Sequence, residues 1–347
     1  MKGSHEKIIS AVLEKAQQRC PGCLDILGVY GSAATGDLHE GSDLDLLIVL
    51  NSEEKWPLLS QAFILDDEQV GYDIYCTTWE MLSEDAECGH AQLGKLMDSE
   101  LVFVRDETAG QRLEELRKRA AAILGSDERF GKAGEALQRS FTPYAAAMTA
   151  DTMAVKRTAS AYVISVLLDA VMLFNGRYFR KGTKRNFEEL EGLALPDHFE
   201  EDILSTVKAS DMEELDRALT RLLRGAMRFL NREEARLAPT AERLRGTYEE
   251  MYSNWRNKMT EAAARSDVYS SFMNMAFLQY MLEQIAAQTD IPDYAVMEDF
   301  SPDDLRANAE IFDGVLERYL QQYRKAGTEP VRYPDADSFV IAYLGRD

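Results

Sequence analysis

The length, composition and charge of the chain exclude several classes of protein. With 347 residues, of which 46% are hydrophobic and 29% charged, the chain has the composition of a folded, soluble protein with more than one domain. Its formal net charge of -21 argues against a protein that grips nucleic acid along an extended basic surface.

The N-terminal segment predicts a helix followed by a tight turn. Residues 1–10 carry charges and no apolar core of signal-peptide length, so we expect a cytoplasmic protein. Apolar residues at helical spacing predict an amphipathic helix over 5–19. The four cysteines of such a chain are interpreted as reduced thiols, and the Cys20-Pro-Gly-Cys23 segment as a turn in preference to a zinc or redox site.

Short apolar runs then predict the strands of a small domain. The runs 24–30 and 44–50 are nearly continuous, as expected of buried central strands. Residues 63–65 and 70–77 flank a polar turn as the arms of a hairpin do, and a last strand is expected at 101–105. The fold class is therefore α+β, with a mixed sheet in a first domain over residues 1–125.

Helical patterns replace the strands after Gly125. We predict a helical bundle over 126–238 and a C-terminal helical subdomain over 239–347, separated at Ala238-Pro239. The longest apolar run, 161–174, is too short to cross a bilayer, so no membrane partner is expected. The predicted helices cover about 128–149, 151–175, 198–208, 212–236, 241–265 and 301–325, and the aromatic stripe 269–281 is interpreted as a core-facing helix.

A group of carboxylates in the first domain indicates a metal site. Asp43 and Asp45 lie two apart at the start of an apolar strand, so the strand period places both on one side of the sheet. Such anions repel unless a cation joins them, and Mg²⁺ is usually held by one or two carboxylates plus substrate phosphates. Asp73 would complete the site if its strand pairs beside Asp45. The competing residues Asp66 and Asp67 fit a hairpin turn without any chemistry.

The segment before this pair has the character of a phosphate-binding turn. Gly31 lacks a β-carbon, so a phosphate can approach its backbone, while N–H groups and the Ser32 hydroxyl can donate hydrogen bonds. Ser42, next to the carboxylate pair, is a further candidate nucleotide contact. A phosphate-binding turn beside metal-binding carboxylates indicates a nucleoside triphosphate as substrate.

The order Gly-Ser, ten residues, then Asp-Leu-Asp resembles the nucleotidyltransferase superfamily, which includes DNA polymerase β and the aminoglycoside nucleotidyltransferases. The resemblance covers about residues 26–76. A small α+β domain followed by a helical region is also similar to the organisation of the antibiotic-modifying members. Many relatives have Arg near position 35, where this chain has Thr35.

The resemblance implies a role for each matching residue. Gly31 and Ser32 would bind the triphosphate, while Asp43, Asp45 and Asp73 would be the catalytic carboxylates that hold two Mg²⁺ ions. Because some antibiotic-modifying relatives use the third carboxylate as general base, the resemblance makes Asp73 a candidate for that role too.

Two features of the helical region could also serve the reaction. The segment 175–185 is rich in cations, which could meet the triphosphate or form an ordinary basic loop after a helix. Asp169 could be a general base or could hydrogen-bond a neighbouring helix. The cations of the segment are Arg177, Arg180, Lys181, Lys184 and Arg185, of which Lys184 is taken as a candidate nucleotide contact.

The expected reaction is transfer of a nucleoside monophosphate, AMP from ATP, to a hydroxyl of a small molecule. An aminoglycoside-like cation is the favoured acceptor, because the first 125 residues hold 23 acidic against 11 basic side chains and attract cations. Two alternatives stay open: a protein side chain as acceptor, as in regulatory adenylylation, and a nucleotide-binding module without turnover. The nucleotide preference and the oligomeric state stay open as well.

Overall fold

The computed structural model describes residues 2–36, 39, 41–181, 185–230 and 237–345. The chain forms two compact units, Met1–Arg232 and Glu233–Asp347. The first unit holds the α+β part together with the helices predicted as a separate bundle over 126–238. The division into three domains therefore stays a prediction.

The first 125 residues form the predicted mixed sheet with helices around it. The strand order is β5 (Cys76–Thr78), β2 (Asp45–Leu50), β1 (Leu24–Tyr30) and β6 (Glu100–Val104), in which β5 runs parallel to β2 and the other pairs are antiparallel. A separate antiparallel hairpin, β3 (Gln61–Leu65) and β4 (Val70–Ile74), has the predicted turn, but its second arm is shorter than predicted. Residues 76–78 of that arm form β5 and pair with β2, while Asp73 pairs with Ala62 of β3 and not beside Asp45 as expected. The elements are α1 (Gly3–Arg19), β1 (Leu24–Tyr30), α2 (Ser32–Thr35), β2 (Asp45–Leu50), α3 (Trp56–Leu59), β3 (Gln61–Leu65), β4 (Val70–Ile74), β5 (Cys76–Thr78), α4 (Trp79–Ala86), α5 (Gly94–Met97), β6 (Glu100–Val104) and α6 (Glu107–Gly125).

Both faces of the sheet are covered, which explains the continuous apolar runs of its central strands. Leu27 and Ile48 pack in a cluster with α1 and the hairpin. Ile26 and Leu47 point to the other face and belong to a cluster that includes residues of α4, α6 and the following helices. A strand that is buried on both faces gains nothing from alternating polar residues.

Helices make up the rest of the first unit. One of them, α8 (Met153–Phe174), is long and apolar enough to cross a membrane by length and composition. This helix begins before the apolar run 161–174 and is therefore longer than that run. However, Val163, Leu167 and Leu173 of this helix are fully buried in the core, as in many core helices. The helices are α7 (Glu128–Met148), α8 (Met153–Phe174), α9 (Asn186–Leu190), α10 (Phe199–Lys208) and α11 (Met212–Leu230).

The second unit is helical, as predicted, but two details differ. The predicted helix 241–265 is interrupted because Gly246 adopts a φ of 85°, which ends the first helical turn. The aromatic stripe is not wholly core-facing, since Tyr269 and Tyr280 are 74% and 61% exposed. The elements are α12 (Ala241–Leu244), α13 (Thr247–Met251), a π-helical turn (Tyr252–Arg256), α14 (Asn257–Arg265), α15 (Val268–Gln288), α16 (Leu305–Lys325) and α17 (Ala336–Tyr343).

The turn between α1 and β1 corrects one expectation. Cys20 and Cys23 are joined by a disulfide, with their Cα atoms 5.5 Å apart, whereas reduced thiols were expected. The turn at Pro21-Gly22 brings the two Cα atoms within the range that a disulfide can bridge. Cys76 and Cys88 are reduced and buried.

Candidate active site

The turn after β1 is shaped by a glycine that no other residue could replace. Gly31 has a φ of 65° and a ψ of -145°, a conformation that side chains with a β-carbon rarely adopt. A β-carbon at this position would lie 1.9 Å from Oδ2 of Asp45. The backbone oxygen of Gly31 accepts hydrogen bonds from the N–H groups of Ala34 and Thr35, which begins α2. The absence of a side chain therefore lets the turn lie against the carboxylate.

The two predicted carboxylates stand at the head of β2, next to this turn. Asp45 pairs with Tyr30 across the sheet, and buried Leu44 separates it from exposed Asp43. Burial and the charge of Asp43 raise the pKa of Asp45 to about 6. Burial and nearby carboxylates, Asp45 first, raise the pKa of Tyr30 to about 12. The binding of a cation between Asp43 and Asp45 would therefore be favourable.

Ser42 has a structural task in the loop before β2. It is 5% exposed, and its hydroxyl accepts a hydrogen bond of 3.0 Å from the backbone N–H of His39. Its own N–H donates to the carbonyl oxygen of His39, and its carbonyl oxygen accepts a 2.8 Å hydrogen bond from Lys2 Nζ. These bonds fix the chain just before Asp43. The nucleotide contact assigned to Ser42 stays a prediction.

The predicted groups meet in one cleft of about 580 Å³. The Gly31-Ser32 turn, Thr35, Ser42 and both carboxylates of the pair line it. Thr35 stands where the resemblance would place an Arg and carries no charge, so the cations that line the cleft come from other parts of the chain.

That charge comes from the basic segment of the helical region. Arg180, Lys181 and Arg185 line the cleft, and Arg177 is exposed. Glu189 accepts hydrogen bonds of 2.8 Å from the backbone N–H groups of Arg180 and Lys181, so the segment is held in place. Lys184, the cation that we assigned to the nucleotide, lies outside the described residues.

The cleft wall also holds a second group of polar residues, which the sequence pattern does not predict. His90, Gln92 and Lys95, which follow α4, line the cleft. Buried Asp85 contacts two of them: His90 Nε2 lies 3.1 Å and Lys95 Nζ 3.0 Å from its carboxylate oxygens. No spacing or motif announces this cluster, because its members meet only when the loop after α4 folds back.

The remaining candidate carboxylates lie elsewhere. Asp73 is exposed on β4 and does not line the cleft, although its charge, like those of Asp43 and Asp45, raises the pKa of Tyr30. In the described part of the chain, no three His, Cys, Asp or Glu side chains form a metal-binding group. The third carboxylate thus stays a prediction. Asp169 is 8% exposed and accepts a 3.1 Å hydrogen bond from the Ala91 N–H, which is a structural role.

One of three comparisons with known proteins identifies a domain family in this chain. A solved structure of a nucleotidyltransferase-like protein from Exiguobacterium sibiricum 255-15 matches with 11% identity and a TM-score of 0.32, over 75% of this chain and 91% of that one. A TM-score this low does not establish a shared fold. No curated protein matches the chain. The family model of the nucleotidyltransferase domain matches residues 9–95, which include the turn and both carboxylates, so the chain carries a nucleotidyltransferase domain.

Proposed function

We propose that this chain transfers a nucleoside monophosphate, AMP from ATP, to a hydroxyl of a small molecule and releases pyrophosphate. One observation carries the proposal: Asp43 and Asp45 share a cleft with the Gly31-Ser32 turn and with several cations. Carboxylates suit a divalent metal, while the turn and the cations suit phosphates.

The carboxylate pair fits Mg²⁺. The raised pKa of Asp45 results from burial and from Asp43, so a cation that bound both would relieve an unfavourable anion pair. Two carboxylates are also the usual protein share of a Mg²⁺ site whose other ligands are phosphates and water. When bound, two such ions would neutralise developing charge on the attacking and leaving oxygens.

The residues of the cleft would position the reactants. The turn at Gly31-Ser32 would bind phosphate oxygens through backbone N–H groups and the Ser32 hydroxyl. The acceptor oxygen then bonds to the α-phosphorus while the bond from phosphorus to the bridging oxygen breaks, and that electron pair leaves on pyrophosphate. The hydroxyl proton passes to solvent water in this scheme, because Asp73, the base that the resemblance suggests, does not line the cleft. Arg180 and Lys181 would stabilise the negative charge of the leaving group.

The acceptor is proposed to be a cationic, aminoglycoside-like compound. The support is the negative field of the whole chain, with its net charge of -21, which raises the local concentration of cations. In this arrangement the cations that line the cleft would contact the triphosphate. The cationic acceptor would instead be attracted by the acidic residues around the cleft.

A pyrophosphate-release screen tests the proposal. It uses the four nucleoside triphosphates, Mg²⁺, and a panel of aminoglycosides and other hydroxylated compounds. Asp43→Asn and Asp45→Asn should each lower release by at least about a hundredfold. Asp67→Asn is the matched control, because Asp67 is an exposed residue of the hairpin turn. Equal release from the wild type and from both cleft variants would exclude this active site.

A further inference from the structure

The last turn of α4 carries a buried carboxylate that the proposed reaction does not use. Asp85 is only 7% exposed. Burial raises its pKa, but hydrogen bonds from His90 and Lys95 outweigh that effect and hold the pKa below its usual range. Asp85 is therefore an anion in the protein interior, where a charge is stable only with a partner of opposite sign.

The compensating charge comes from Lys95. The backbone N–H of Gln92 donates a 3.2 Å hydrogen bond to His90 Nδ1, so the proton of this ring lies on Nε2, which donates to Asp85. An imidazole in this state is neutral. The ammonium of Lys95, 3.0 Å from the other carboxylate oxygen, is thus the cation that balances Asp85.

The loop that carries these residues is hydrogen-bonded to α8 and to the basic segment, which belong to the same unit. Asp169 of α8 accepts hydrogen bonds from the Ala91 N–H at 3.1 Å and from Gln92 Nε2 at 3.3 Å. The carbonyl oxygen of Ala91 accepts a 2.8 Å hydrogen bond from the N–H of Phe179, which lies in the basic segment. Lys95 is therefore held in one position before any ligand arrives, which lowers the entropy lost on binding.

One helical turn connects this lysine to a second cation of the cleft. Lys95 lies in α5, and Asp98 is the C-cap residue that follows α5. Asp98 accepts a 2.9 Å hydrogen bond from the Tyr178 hydroxyl and forms an ion pair of 3.2 Å with Arg180. Lys95 and Arg180 both line the cleft that contains Asp43. Two carboxylates outside the cleft lining thus each hold one cation at its wall.

We propose that Lys95 is a further triphosphate-binding residue, which acts with Arg180 on the β- and γ-phosphates while Asp85 and Asp98 position the two cations. The proposal rests on the proposed function, because a nucleotide at Asp43 would bring its phosphates into this cleft. An ammonium has three donors, so Lys95 can keep its ion pair with Asp85 and still donate to a phosphate oxygen.

The role of Lys95 in the transfer is electrostatic. The acceptor oxygen gains a bond to the α-phosphorus, and the electron pair of the broken phosphorus–oxygen bond leaves on pyrophosphate. Lys95 stays protonated throughout and stabilises the charge that develops on that leaving group. Asp85 acts through Lys95 and is a positioning residue.

Lysine acylation of the wild-type chain tests the binding role without any mutation. The protein is treated with an amine-acylating reagent, with and without inorganic tripolyphosphate and Mg²⁺, and each lysine is followed by mass spectrometry. Tripolyphosphate should slow the acylation of Lys95 several-fold. Lys118 is the internal control, since it is exposed on α6 and does not line the cleft. Equal acylation of Lys95 in both conditions would overturn the proposal.

Variants separate a binding role from a structural one. Lys95→Met should weaken tripolyphosphate binding and raise the KM for ATP, each by about tenfold or more, because it removes a charged hydrogen bond to phosphate. Lys95→Arg should restore most of the binding, and Asp85→Asn should give a smaller loss. A merely structural lysine would lower Tm and leave the affinity and KM equal to those of the matched variant Lys118→Met, which would overturn the proposal.

The outcome for Lys95 is distinguishable from the outcome for the proposed function. Protection of Lys95 in a protein that releases no pyrophosphate would support this binding role and contradict the transferase reaction. Pyrophosphate release with unprotected Lys95 would contradict only the role of the lysine.

Discussion

The α-carbon of Gly31 lies directly against the carboxylate of Asp45, and a methyl group at position 31 would overlap Oδ2 of that aspartate at 1.9 Å. The turn that would bind phosphate and the carboxylate that would bind metal therefore share one surface. A nucleotide whose phosphates contact the turn is automatically within reach of a metal at Asp45. This contact joins the two halves of the proposed chemistry.

Gly31→Ala should damage the site more than the fold. The positive φ costs about 1–3 kcal/mol, and the added methyl must displace Asp45, so pyrophosphate release should fall by about a hundredfold or more. Gly36→Ala is the matched control: Gly36 also has a positive φ, of 81°, but a β-carbon there meets no atom of the described residues within 4 Å. Gly31→Ala should lose more stability in thermal unfolding than Gly36→Ala, because only its methyl group must displace a neighbour, so activities are compared at a temperature where both variants stay folded. Equal loss of activity would contradict the importance of the Gly31 contact.

Asp45→Asn should stabilise the metal-free protein while it abolishes activity. The pKa of Asp45 is about 6 in the folded state, above the ordinary value of 3.8, so the folded state binds the proton more tightly. The contribution of this group to stability is complete below about pH 4 and is lost as pH rises through about 6. At pH 8 the variant should gain about 1–3 kcal/mol.

Thermal unfolding in a chelator at pH 4 and at pH 8 measures this effect. The gain in Tm for Asp45→Asn should appear at pH 8 and vanish at pH 4, while Asp67→Asn should show neither change. A lower Tm for Asp45→Asn at pH 8 would show that the ionised Asp45 carboxylate does not destabilise the folded state.

Metal affinity should depend on the same proton. A cation that binds Asp45 must displace the proton below the pKa of about 6. Binding of Mn²⁺, followed by electron paramagnetic resonance, should be nearly constant from pH 7 to 8 and weaken by up to about tenfold per pH unit below 6. Affinity that is the same at pH 5 and pH 8 would remove Asp45 from the ligands.

The buried carboxylate of Asp25 should be important for stability alone. Its side chain accepts a 2.7 Å hydrogen bond from Trp79 Nε1 and pairs with Arg105 at 2.6 Å. Asp25→Ala leaves a buried indole N–H without its partner and should cost about 2–3 kcal/mol in denaturant unfolding. The KM for ATP should not change, since Asp25 does not line the cleft. A changed KM with unchanged stability would contradict this division of roles.

The sequence predicts the parts of the site that depend on local pattern. β1 and β2 are apolar because both faces of the sheet are covered, and the spacing of Asp43 and Asp45 follows from strand geometry. The turn at Gly31 is recognisable because a glycine at a strand end marks a special backbone conformation. These features need no knowledge of distant residues.

The parts that the sequence does not predict depend on long-range packing. Asp85 and Lys95 meet because a loop folds back on α4, and Arg180 joins them from 82 positions beyond Asp98. The sequence does not predict the Cys20–Cys23 disulfide, because the expectation of reduced thiols rests on the cellular compartment, which does not determine the distance between two cysteines across a turn. The register that would bring Asp73 to the metal depends on how the hairpin meets β2, which pattern alone does not fix.

A crystal structure with Mg²⁺ and a non-hydrolysable ATP analogue tests the central claim most directly. The account predicts metal density at the carboxylates of Asp43 and Asp45, and triphosphate density against the backbone of Gly31 and Ser32. Well-defined nucleotide and metal density at any other place on the chain, with this cleft filled only by water, would contradict it.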